Sequence, residues 1–179
     1  MKRIAIFGAL LAAAALAAYA AYWFWPKTVD FEAQGMKYRL GEAGAAEERP
    51  LKVSIQGKLY RNLKGDRIFK GTVELEGEEN PVPEEQRSLE ITKFRGTDYY
   101  WLVYHYIADA KPRTFSQGNL YANGDFSKIA IALFTREGDG GHWGAEDGLM
   151  IAAPASNREE AVALSNELMR EFLGGYVLK

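Results

Sequence analysis

Only two residues, His105 and His142, could act as an imidazole base near neutral pH. A Ser-His-acid triad would need one of them beside a serine on a sharp strand-to-helix turn, and no serine stands in that pattern. No His-Glu-x-x-His run occurs either. The chain has no cysteine, which removes thiol nucleophiles, thiolate zinc sites, disulfides and a lipid-modified cysteine anchor. His142 lies in Gly138-Asp139-Gly140-Gly141-His142-Trp143-Gly144, between Glu137 and the pair Glu146-Asp147. Those carboxylates are donors of the kind calcium accepts, but their spacing departs from the twelve-residue calcium loop. A secreted or metal-dependent hydrolase using the 136–148 loop is therefore the alternative reading. It requires His142 and at least two of Glu137, Asp139, Glu146 and Asp147 to converge. The leading reading assigns no catalytic residue, no metal ligand and no cofactor. Glu74, Glu76, Glu78, Glu79, Glu84 and Glu85 form a second acidic cluster, read as a solvated face because alternate strand residues share a side.

Recognition is better represented than catalysis. Tyr99, Trp101, Tyr104 and Tyr106 fall in one nine-residue run, Tyr99 to Ile107, and Trp143 follows His142 in the glycine-rich loop. Together these six residues are the candidate binding set, a stacking platform for sugar rings or a partner protein. The competing use of such rings is to fill a core. Because the run is apolar at both parities, the pattern predicts a central strand covered on both sides, with His105 structural.

Positioning these residues falls to a β-rich domain. Thr28 to Ala33 and Met36 to Leu40 read as short strands and Gly41 to Pro50 as a loop, together a juxtamembrane segment over 27–50. Leu51 to Glu76 reads as a hairpin, with Val53, Ile55 and Leu59 on one face and Asn62 to Asp66 as the turn. Pro81 and Pro83 make Gly77 to Gln86 a loop. Arg87 to Arg95, Phe126 to Thr135 and Leu149 to Ala153 are further strands, while Asp109 to Gln117 and Arg136 to Gly148 are connections. Ser156-Asn157-Arg158-Glu159 matches a capping box. Ala161, Leu164, Leu168 and Phe172 then follow at helical spacing until Gly174-Gly175, giving a helix over 156–173. The fold class is thus α+β: a mostly antiparallel β domain over 51–179, a sandwich or half-open barrel of about eight strands, with a C-terminal helix.

The N-terminus specifies location. Lys2 and Arg3 precede a run from Ile4 to Trp25 with no charge. At about 1.5 Å per residue the run spans roughly 33 Å, against about 30 Å of hydrocarbon. Tyr19, Tyr22, Trp23 and Trp25 crowd its outer end, where amphipathic rings favour the headgroups, and Pro26 ends it. The expectation is a single-pass anchor over 1–26 whose residues 4–25 meet the lipid bilayer, N-terminus in the cytoplasm and domain outside. Ala18-Tyr19-Ala20 fits a signal-peptidase site, so a product secreted after cleavage near Ala20 is the alternative. Setting aside Lys2 and Arg3, the rest carries 20 basic and 24 acidic residues, a net charge of −4, which argues against nucleic acid as a partner.

Gly57-x-Leu59-Tyr60-x-Asn62 and Gly118-x-Leu120-Tyr121-x-Asn123 share a pattern, each followed by a Gly-Asp pair and an alternating strand. Two hairpins with the same turn chemistry explain this more simply than a duplicated β unit. The first of these, with Phe69 to Gly77, resembles a hairpin of small membrane-anchored or secreted, uncharacterised proteins of spore-forming Gram-positive bacteria. Gly118 to Ile131 resembles a later hairpin of the same proteins. The resemblance implies an exported β-rich domain and no activity. The expected function is accordingly a noncatalytic binding or structural module contacting protein or cell-wall polymer. A third reading is a subunit of a membrane complex, packed through its alanine-rich helix.

Overall fold

The computed structural model describes residues 2–41, 48–93, 99–137 and 140–179, with the side chains of 2–7, 9, 136, 137 and 140 outside the description. Helix α1, Lys2–Phe24, leads into strand β1, Lys27–Arg39. Next come β2 (Arg49–Arg61), β3 (Arg67–Leu75), β4 (Leu89–Thr92), β5 (Tyr99–Ala108), β6 (Lys111–Ala122) and β7 (Ile129–Leu133). A short ribbon of β8 (Thr135–Glu137) and β9 (Gly140–His142) precedes β10 (Leu149–Ala153) and helices α2 (Arg158–Leu168) and α3 (Arg170–Leu173).

Eight strands form one antiparallel sheet in the order β4-β3-β2-β1-β10-β7-β6-β5. Its two ends curl towards each other and, among the described residues, touch through the bridge of Lys93 to Tyr100, so the sheet is a nearly closed barrel. Because β4 is only four residues long, the seam runs out of backbone partners. Gln86, in a one-turn helix at Glu84–Gln86, fills the gap. Its Oε1 accepts from the Ile107 N–H at 2.7 Å and its Nε2 donates to the Ile107 carbonyl at 3.2 Å.

Alternation along each strand sorts the core into two layers. Val29, Val53, Ile55, Phe69, Val73, Tyr100, Leu102, Tyr104, Leu120, Ile131 and Ile151 fill the barrel interior. Met36, Tyr38, Tyr121, Ala130, Ala132, Met150 and Ala152 form a second, outer layer under α2, against Ala161, Leu164 and Met169. The helix-facing alanines of β7 and β10 keep that surface low, so the helix can approach closely while the isoleucines beside them fill the barrel. At the helix base the Tyr38 hydroxyl donates to Ser165 Oγ at 2.7 Å. Burial pushes the Tyr38 phenol up to about 12, offset in part by the Ser165 hydrogen bond and by Arg158.

Several elements differ from the pattern reading. Residues 27–39 are one continuous strand paired to β2 and β10, not two short strands beside the domain; Gly35 leaves room where a Cβ would strike the Ala152 carbonyl. Residues 42–47 of the expected 41–50 loop lie outside the description. The run 109–117 is not a connection: β5 and β6 join through a two-residue turn, Asp109-Ala110, both at positive φ (52° and 59°). Nor is β5 central. It lies at the seam, with Tyr100, Leu102 and Tyr104 buried inside while Trp101, His105 and Ile107 stand exposed. Of the expected strand Arg87 to Arg95, residues 89–92 form β4 and Lys93 adds the bridge to Tyr100, while 94 and 95 lie outside the description. The strand expected over Phe126 to Thr135 starts only at Ile129, because Phe126, at φ 62°, belongs to the turn, and it breaks at Phe134 before β8. The 136–148 loop begins as the β8–β9 ribbon. The C-terminal helix starts two residues late, at Arg158, and breaks at Met169. Asn157 is its cap, with Oδ1 accepting from the Glu160 N–H at 2.9 Å while Glu160 reaches back to the Ser156 N–H at 2.8 Å. The capping motif is therefore shifted by one residue, and its glutamate reaches the residue before the cap rather than the cap itself.

Candidate functional site

The six aromatic and imidazole candidates do not share one site. Alternation along β5 sends Tyr104 inward, where its hydroxyl meets the Val73 carbonyl at 3.4 Å and Gln117 Oε1 at 3.3 Å. Tyr104 is 1% exposed and burial raises its pKa, so it is a barrel-filling residue that a surface ligand cannot reach. Trp101 points outward, half-exposed at 50%, in a row with Val103, His105 and Ile107. His105 is also exposed, its Nδ1 3.1 Å from Thr114 Oγ1. Tyr106 is half-buried against the interior core.

Tyr99 and Trp143 do come together, through a residue read only as part of the helix stripe. The Phe172 ring lies 5.9 Å from Tyr99, 5.6 Å from Tyr121 and 6.3 Å from Trp143, centroid to centroid. These rings form a lid over the barrel's outer face where α3 docks, which makes Tyr99 and Trp143 packing residues rather than a platform. His142 stands exposed at the end of β9, its carbonyl accepting from Thr135 Oγ1 at 3.1 Å. Among the described residues no group of three His, Asp or Glu side chains is placed to hold a metal. Asp139 and the Glu137 side chain lie outside the description, while Glu146 and Asp147 are exposed.

A different cavity stands out, at the junction of α1 with the barrel. It encloses about 210 Å³ and is lined by Tyr22, Trp23, Trp25, Lys27, Leu59, Tyr60, Arg61, Arg67 and Gly124. The Arg61 guanidinium sits 3.9 Å from the Trp23 ring centroid, a cation–π contact. Arg67 Nη1 donates to the Gly124 carbonyl at 3.0 Å. Two turns frame this end of the barrel with the same device. Asn62 Oδ1 accepts from the Lys64 and Asp66 N–H groups, and Asn123 Oδ1 from the Lys128 N–H. The shared Gly-x-Leu-Tyr-x-Asn pattern thus encodes a common asparagine-clamped turn. The neighbouring Asp125 carboxyl is held below its usual range, chiefly by hydrogen bonds from Ser127.

Sequence reading placed Tyr22, Trp23 and Trp25 at a membrane interface but did not join them to Arg61 and Arg67. The missing information was that the β2–β3 and β6–β7 turns lie at the end of the barrel where β1 begins. No protein-family model, curated protein or solved structure matches the chain.

Proposed function

We propose that the chain is a membrane-anchored, extracytoplasmic binding or structural module without catalytic chemistry of its own. The observation that carries this reading is the exposure of α1. Leu10, Leu11, Leu16, Tyr19, Tyr22, Trp23, Phe24 and Trp25 are all exposed. An apolar helix with no wet face needs an apolar surrounding on every side, and the barrel covers only its last turn through Trp23. Among the described residues no helix is long and apolar enough to cross a membrane; the uncharged run begins at Ile4, among residues whose side chains lie outside that description. Its continuation to Trp25 and the basic pair at its start are what favour an anchor with the barrel outside. The resemblance of the two hairpins to exported proteins of spore-forming bacteria points the same way. Outward-facing Trp101, Val103 and Ile107 on β5 supply an apolar strip on which a protein or wall polymer would dock.

The test is fractionation of the expressed chain together with its intact mass. Full mass in the membrane pellet, with protease removing the barrel only from outside, is expected. A soluble exported product beginning at Ala21 would replace the anchor with a cleaved signal, for which Ala18-Tyr19-Ala20 provides the site.

A further inference from the structure

We propose that the cavity between α1 and the barrel binds the phosphate headgroup of an anionic phospholipid, fixing the barrel against the bilayer surface. This rests on the anchor reading above. The lining brings together Lys27, Arg61 and Arg67, three cations from three different strand ends, and contains no carboxylate. None of the three forms an ion pair among the described residues. Arg67 spends one donor on the Gly124 carbonyl, and Arg61 lies over Trp23. A guanidinium carries five N–H donors, so both retain capacity for phosphate oxygens. The nearest turn carboxylates are engaged elsewhere: Asp66 Oδ2 accepts from Asn62 and Asp125 Oδ1 from Ser127.

Depth supports a lipid rather than a free anion. Tyr22, Trp23 and Trp25, rings that favour the headgroup layer, form one wall of the cavity, which places its cations at phosphate level if α1 spans the bilayer. Beside it, the tip of the β2–β3 turn carries Leu63, 92% exposed and followed by Lys64. An apolar side chain at a turn tip, followed by Lys64, suits contact with acyl chains beneath charged headgroups. The other ends of β1 and β2 differ: there Lys37 and Arg49 are already paired with Glu78.

The full-length chain in neutral detergent micelles is titrated with dihexanoyl phosphatidylglycerol, dihexanoyl phosphatidylcholine or inorganic phosphate, following tryptophan emission. Saturable change with the anionic lipid is expected, with phosphatidylcholine and phosphate ineffective at the same concentration. Arg61→Gln should weaken the anionic-lipid response about tenfold, as for losing one charge-assisted hydrogen bond. Arg61→Lys should restore part of it. Arg61→Lys, which keeps a cation over Trp23, should keep the wild-type melting temperature, and Arg61→Gln should lower it by no more than the loss of one cation–π contact. An absent response, or one unchanged in Arg61→Gln and Arg67→Gln, overturns the headgroup site. An equal response to inorganic phosphate overturns the lipid assignment. Alkaline carbonate extraction of the same cells' membranes tests the anchor separately. A chain that resists extraction yet ignores anionic lipid disproves the site alone, and one that is extracted disproves the anchor.

Discussion

The side-chain amide of Gln86 makes both hydrogen bonds that a paired strand residue would make to Ile107. It thereby closes a barrel whose β4 is too short to reach that far along β5. Gln86→Ala removes this pair and leaves the Ile107 amide to water. We expect a loss of about 1–2 kcal/mol in urea unfolding, one to two net hydrogen bonds. Amide exchange should quicken at Ile107 and leave Ile131, at the centre of the sheet, unchanged. Equal quickening at both would mean that Gln86 does not act at the seam.

Tyr38 and Ser165 tie the sheet to α2, and Tyr38 is fully buried. Tyr38→Phe should cost about 1 kcal/mol, because it leaves Ser165 Oγ without its partner. The Tyr38 phenol titrates at about 12 when folded, against 10.0 for the ordinary group. A raised acid pKa leaves stability unaffected below about pH 10. Above that the unfolded chain ionises first, and stability falls until about pH 12. A two-unit shift corresponds to about 2–3 kcal/mol. Burial also raises the Tyr104 and Tyr121 pKa values, so their losses add in the same direction. Urea midpoints measured from pH 8 to 11 should decline above pH 10, and less so in Tyr38→Phe.

What the sequence made legible was local and periodic. The 51–76 hairpin, the buried Leu149–Ala153 strand and the α2 stripe each rest on repeats within one element. The hidden parts came from the tertiary arrangement. A positive-φ turn usually announces itself through Asn-Gly or Asp-Gly, but here Asp109-Ala110 makes the turn, so the strand that follows it reads as a connection. The apolar run of β5 signalled two covered faces, yet Trp101 and Ile107 face outward because the barrel seam leaves that side bare. Arg61 and Arg67 carry no motif. They line one cavity with Trp23 only because two asparagine-clamped turns stand at the end of the barrel where β1 begins.

Ala110 is a consequence of that unusual turn. At φ 59° its Cβ crowds the backbone, a conformation that glycine adopts without penalty. Ala110→Gly should therefore raise stability by up to about 1 kcal/mol, despite the greater flexibility of glycine in the unfolded chain. Thermal melting reads the sign directly. A lower melting temperature would show that the turn is not held in the left-handed region.

Gly57 and Gly71 face each other across β2 and β3. A Cβ on Gly57 would strike the Lys70 carbonyl, and one on Gly71 the Gln56 carbonyl. These are backbone atoms, which cannot swing aside, so the strands would have to separate. Gly57→Ala and Gly71→Ala should each destabilise by about 1–3 kcal/mol, the range for overpacked sites. Gly65→Ala in the adjoining turn meets no atom within 4 Å but sits at φ 84°, so its cost is conformational alone and smaller. Matching losses at all three positions in chemical denaturation would argue against a close strand approach.

Phe172 separates packing from recognition at the lid where α3 docks. Its ring joins Tyr99, Tyr121 and Trp143 although it is itself 46% exposed. Phe172→Ala should cost about 1–2 kcal/mol, less than a fully buried phenylalanine because part of its area is already wet. It should also shift emission to the red as Trp143 gains contact with water. His142→Ala, next to Trp143 but exposed, should alter neither stability nor emission. If His142→Ala instead destabilised the fold as Phe172→Ala does, the histidine would belong to the packed lid. If Phe172→Ala left emission unchanged, Trp143 would be held by the β9 turn alone, and its role as a packing residue under α3 would have to be given up.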